Sequence, residues 1–213
     1  MTTKVILYNR ALRMLGQRAL SSISAIHEHR FLLDTEYDNE AVKYCLEQGF
    51  WPHARRVSKI EYTSDVEPTF GLRRAFTKPS DFVRLIEMSG DEHFSAPLTD
   101  YSDDPNYWFA NIETIYVGYV SDDSAYGLDL TIWPPTFVWM VAAFLAKQIG
   151  PTMPEVDQRM VAKAENMYES LASDALSKAA MNGPIQFQPV GSWRRSRRSS
   201  RSAERGSQTN LTG

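Results

Sequence analysis

The sequence predicts an α+β protein: a four-helix bundle of two N-terminal and two C-terminal helices, with an inserted small antiparallel β-sheet and an extended basic C-terminal tail. Three observations predict it. Apolar residues recur at helical spacing near both ends of a globular stretch. Short runs rich in β-branched and aromatic residues, separated by turn signals, fill the middle. After Asn182-Gly183-Pro184 the composition changes to serine and arginine. The boundaries that follow are residues 1–54 and 133–181 for the bundle, 55–132 for the β insertion and 182–213 for the tail.

The first helix is expected over residues 3–15. Val5, Tyr8, Leu12 and Leu15 recur at three-to-four spacing, and Gly16 stands where a helix would stop. A loop is expected through SSISAIHEHRF. The second helix is expected over residues 35–49, with Tyr37, Ala41, Tyr44, Cys45 and Gln48 on one face and Gly49 closing it. Four strands are expected at about 55–62, 82–88, 112–120 and 128–132. The last, LDLTI, alternates cleanly, with Leu128, Leu130 and Ile132 to one side and Asp129 and Thr131 to the other. Residues 100–111, DYSDDPNYWFAN, read as an acidic, aromatic loop. Residues 136–149 read as an almost wholly apolar helix, broken by Gly150-Pro151. Thr152 and Glu155 have the spacing of a capping box, opening a long helix to about residue 180. Its apolar stripe is Val156, Met160, Ala164, Met167 and Leu171.

With 213 residues, of which 43% are apolar, the chain can bury a substantial core. The formal net charge is −3. Residues 182–213 carry six Arg and one Glu, +5, so the rest carries −8. Opposite signs on body and tail point to an interaction arm, or to self-assembly in which tails meet neighbouring bodies. The single cysteine, Cys45, allows no intrachain disulfide and fits a reducing compartment. The opening MTTKVILYNRALRMLG lacks the layout of a signal peptide, because Arg10 and Arg13 interrupt its apolar residues. The longest apolar run, FVWMVAAFLA at 137–146, is too short to span a bilayer, so no membrane contact is expected.

Catalytic signals are thin. His27, His29, His53 and His93 have no cysteine or third histidine at a metal-site spacing and read as ordinary residues. Cys45 sits on an apolar helix face, the position of a small core residue rather than a nucleophile. Asp100, Asp103 and Asp104, and Asp122 with Asp123, are conceivable cation or acid–base sites. Asp at such positions more commonly stabilises turns. There is no glycine-rich phosphate loop and no nucleophile elbow. No catalytic residue, metal or cofactor is expected, and a binding or structural role is favoured over an enzyme.

The tail holds Arg194, Arg195, Arg197, Arg198, Arg201 and Arg205. Such a segment can neutralise phosphates without sequence preference, order on an acidic protein partner, or simply stay solvated. Trp193 beside it is an anchor of the type enriched at interface hot spots. The preceding PIQFQPV, with Phe187, alternates apolar and polar residues and could add as a strand to another chain's sheet edge. The tail residues Phe187, Trp193 and the six arginines are therefore one candidate partner-binding set. The other is Tyr101, Asp103, Asp104, Tyr107 and Trp108, since aromatics on a wet loop suit an interface.

Five stretches in order carry a family resemblance. They are YNRALRMLG with the SSISAI stretch after it; YCLEQGFWPHARR from Tyr44 to Arg56; Glu67-Pro68-Thr69-Phe70-Gly71; AFTKPSDFVRL from Ala75 to Leu85; and the helix pair from Pro135 to Leu176. Together they resemble the tail tubular protein A family, the head-to-tail adaptors of short-tailed phages, over about residues 5–180. The chain departs from that pattern at Lys78, where the family often has Leu, and at Pro52, where Asn or Thr often follows the Trp. The arginine-rich tail is not general in the family, so no role for it carries over.

The resemblance implies a structural virion protein without catalytic residues. It would form a ring, of twelve copies in the family pattern, beneath the portal protein. The ring would extend the DNA channel, meet the passing genome transiently and offer a platform for the nozzle or next tail protein. It would be made in the host bacterial cytoplasm and end in the virion. An acidic body suits a channel wall, because a basic one would hold the DNA. By the same logic the arginines are expected on an acidic portal or neighbouring subunit rather than on DNA. The alternative is a nucleic-acid-binding protein with a basic arm.

Overall fold

The computed structural model describes residues 2–24, 26–68 and 71–182. The tail from Gly183 onwards, and Thr69-Phe70 of the third resembling stretch, lie outside the described residues. One compact unit runs from Met1 to Asn182.

Helix α1 spans Lys4–Met14. Its carboxyl end closes as the spacing predicts. Gly16 takes φ 71°, its N–H donates to the Arg13 carbonyl, and the Gln17 N–H reaches back to the Leu12 carbonyl at 2.8 Å. The second helical segment begins earlier than expected. Helix α2 spans Glu28–Glu36, a π-helical turn follows over Tyr37–Ala41, and α3 covers Val42–Glu47. The π turn inserts an extra residue and rotates the inward face. Val42, Cys45 and Leu46 are therefore buried, whereas Tyr44 is 45% exposed.

The expectation of a four-helix bundle is corrected. Helix α4, Pro135–Ile149, is the hub, and α1, α2, α3 and the long helix α5, Gln158–Met181, each pack on it. The cause is composition: α4 is apolar all round, so it needs cover on every side, while the others each have one apolar stripe. The expected capping box is also corrected. The Thr152 hydroxyl donates to the Ile149 carbonyl, and Asp157 caps α5 by accepting from the Arg159 N–H at 2.9 Å.

The single small sheet becomes two three-stranded antiparallel sheets. Strands β1 (Arg55–Glu61), β6 (Thr114–Ser121) and β3 (Phe82–Ser89) form the first, with β6 central. Strands β2 (Arg74–Thr77), β5 (Tyr107–Ala110) and β4 (Tyr101–Asp103) form the second, with β5 central. Residues 101–110 are thus a hairpin, not one wet loop. The expected strand 128–132 is a chain of turns instead. The Asp129 carboxylate accepts from the Thr131 N–H at 2.8 Å and its hydroxyl at 2.7 Å, and Leu128 and Ile132 are exposed.

Two apolar cores result. The helical core includes Leu7, Leu12, Leu33, Leu46, Trp51, Phe137 and Leu145. The other joins the two sheets through Phe76, Trp108, Ala110, Ile115, Val117 and Tyr119. Strand β6 feeds both by its two-residue alternation: Ile115, Val117 and Tyr119 face the second core, and Val120 joins the first. Val83 and Ile86 of β3 pack on the helical core, and the Arg84 guanidinium donates to the Glu47 carbonyl at the end of α3 at 2.9 Å.

Candidate interaction surfaces

The β4–β5 hairpin divides its predicted site residues between surface and core. Asp103 and Asp104 are exposed, Tyr101 and Tyr107 are half-buried, and Trp108 is fully buried between the sheets. Trp108 follows from alternation: β2–β5 pairing sets it opposite Phe76, both facing the second core. Its ring meets Phe82 edge-on at 5.1 Å. Lys78 lies over both the Phe82 and Trp108 rings and extends its ammonium to Asp103 at 2.6 Å. The hairpin tip and the Lys78-Pro79-Ser80 turn border an open groove of about 420 Å³. Asp100, Asp103 and Asp104 form no metal-binding group among the described residues.

The resembling stretches supply the joints between elements. Asn9 on α1 clamps Leu20: its amide donates to the Leu20 carbonyl at 3.0 Å and accepts the Leu20 N–H at 2.7 Å. The Tyr8 hydroxyl donates to Asp34 at 2.7 Å, and Lys4 and Arg30 flank the same carboxylate. Burial and the bond to Asp34 hold the phenol protonated. Burial opposes ionisation of Asp34, but the hydrogen bonds from Tyr8 and Lys4 outweigh it and keep the carboxyl below its usual range. Trp51 caps α3, its indole N–H shared between the Cys45 and Leu46 carbonyls, and packs edge-on against Phe137 at 4.7 Å.

Asp81, from the Pro-Ser-Asp stretch, joins all three strands of the first sheet. It accepts from Arg56 at 2.9 Å, from Tyr119 at 3.1 Å and from the Ser121 hydroxyl. Desolvation raises its pKa, and the bonds from Ser121, Arg56 and Tyr119 more than offset that, so its carboxyl lies below the usual carboxylate range. Asp122 and Asp123 are likewise in structural roles, facing Lys43 at 3.6 Å and Arg56 at 4.0 Å.

The remaining candidates for chemistry have structural places. His27 caps α2 by accepting the His29 N–H, and His93 is exposed beside Glu92. Cys45 is buried, and burial pushes its thiol far above the usual range. His53 is enclosed by the Phe137 and Trp51 rings, neither ring nitrogen has a hydrogen-bond partner among the described residues, and burial lowers its pKa to about 4. No group of three or more metal-ligating side chains occurs among the described residues, and no helix among them is long and apolar enough to cross a membrane. The second candidate set, Phe187, Trp193 and the six arginines of the tail, lies outside the described residues.

Sequence reasoning missed one surface. A groove of about 440 Å³ opens between the α2–α3 segment and the carboxyl half of α4, lined by Glu36, Ala41, Tyr44, Glu47 and Phe144 with Lys43 and Lys147. The Tyr44 ring stacks on Phe144 at 4.7 Å with 20° between planes, and Phe144 meets Tyr168 at 5.5 Å. The π turn that exposes Tyr44 leaves no periodicity signal, so the sequence placed Tyr44 in the core. No protein-family model matches the chain, and no curated protein matches it in sequence.

Proposed function

We propose that the chain is a head-to-tail adaptor: a structural virion protein that forms a ring beneath the portal, extends the DNA channel and carries the nozzle or next tail protein. The observation that carries this reading is the ordered set of five resembling stretches. The architecture supports it. A helical core and a separate two-sheet core give distinct surfaces for ring neighbours and axial partners. An acidic body with net charge −8 on residues 1–181 does not retain passing DNA, and the basic arm seeks an acidic protein surface.

Removing residues 184–213 tests the arm's part. The shortened chain keeps its cooperative unfolding but fails to sediment with portal protein. Normal docking by the shortened chain overturns the role given to the arm. Duplex binding by the full chain that falls steeply with salt, with the portal left bare, overturns the adaptor reading in favour of a nucleic-acid-binding arm.

A further inference from the structure

We infer that the groove floored by Tyr44 and Phe144 receives the arginine-rich arm of a second copy of this chain, with Trp193 to Arg198 as the segment held. The inference rests on the ring-forming reading and names the contact through which neighbouring copies grip one another. Three features of the groove select such an occupant.

The first is an aromatic platform. Tyr44 is nearly half exposed while its ring rests on Phe144. An exposed, prestacked ring is a favourable seat for a guanidinium or an indole. The second is charge. Both lysines of the lining are already engaged, Lys147 with Glu165 at 3.2 Å and Lys43 with Asp122 at 3.6 Å. Glu36 and Glu47 have no ion pair among the described residues, so the rim presents two uncompensated carboxylates. The third is the π turn at Tyr37–Ala41, which brings Ala41 and Tyr44 to the groove wall. Such turns interrupt good helical hydrogen bonding and recur at functional sites.

The arm supplies the complement. Trp193-Arg194-Arg195-Ser196-Arg197-Arg198 sets one indole beside four guanidinium groups. Planar guanidinium groups pair with carboxylates and stack on rings at once, which an ammonium cannot do. The 11 residues from Gly183 to Trp193 can extend up to about 35–40 Å, a span on the scale of a neighbouring domain.

Sedimentation velocity of the full chain, without portal protein, reads the contact directly. At low salt the chain self-associates, and about 0.3 M salt weakens this. Glu36→Lys with Glu47→Lys weakens association roughly tenfold or more, as expected for losing two half-exposed charge pairs. Arg194→Glu with Arg195→Glu does the same, and joining both sets in one chain restores association. Unchanged thermal midpoints show that the variants fold. Two results overturn the inference. One is self-association indifferent to the groove charges. The other is a chain that stays monomeric at all concentrations at low salt, which leaves no contact between copies for the arm to make. A bare portal is a separate result and bears on the adaptor reading alone.

Discussion

Glu87 crosses strand β6 at Gly118 to pair with Arg55 on the far strand. Gly118 stands in register between Val57 and Glu87, and a Cβ there would come within 2.9 Å of the Glu87 Cγ. The glycine is therefore the gap through which a part-exposed ion pair spans three strands, on the side of the sheet opposite the second core.

Gly118→Ala accordingly destabilises the protein by about 0.5–1 kcal/mol, the range of a part-exposed pair. Glu87→Ala costs a similar amount. The double variant costs no more than either alone, because both changes remove one interaction. Urea denaturation of the four proteins checks this, and full additivity would separate Gly118 from the pair.

Asp81→Ala costs about 2–3 kcal/mol at neutral pH, since it removes a charged acceptor and leaves Arg56, Tyr119 and Ser121 without it. The folded-state pKa of Asp81 lies below its unfolded value. Its contribution is complete above the unfolded pKa, near 4, and fades as pH falls through the folded value. The gap between wild type and variant therefore narrows below about pH 4 and is constant above it.

His53 governs a different window. Its folded pKa of about 4 lies below the ordinary value of 6.5, so the folded protein binds the proton less well than the unfolded chain. Stability is full above about pH 6.5 and falls as pH drops toward 4, by up to about 3 kcal/mol. His53→Leu, which keeps the contact with Phe137, flattens that slope. A slope unchanged in the variant assigns the acid sensitivity elsewhere.

The hairpin separates folding from docking. Trp108→Ala costs about 3–5 kcal/mol, the range for emptying a large buried aromatic site. Tyr101→Ser and Tyr107→Ser, at half-buried positions, cost about 1 kcal/mol, and on the proposed adaptor reading they also weaken portal docking. Thermal unfolding beside portal co-sedimentation distinguishes the two effects.

The legible parts of the sequence were those with long periods or stiff punctuation. Helix α4 was readable from its unbroken apolar run, α1 from its stripe and Gly16, and β1, β3 and β6 from runs of seven or eight residues. Strands β2, β4 and β5 hold only three or four residues each, too few for alternation to register. The strand pattern of Leu128–Ile132 was overridden by local chemistry, because Asp129 bonds its own turn. The second helical segment was misphased because a π turn cannot be seen in a 3.6-residue period, and with it went the Tyr44 groove. The bundle failed for a related reason: sequence shows which helices have an apolar face but not that all of them turn it to α4.

The adaptor reading is tested most directly by electron microscopy of purified portal protein mixed with this chain. The expected image is a second ring of this chain stacked on the portal, with density for Arg194–Arg205 against acidic protein surface. A bare portal, with the chain shifting duplex DNA in a salt-sensitive manner, would contradict it.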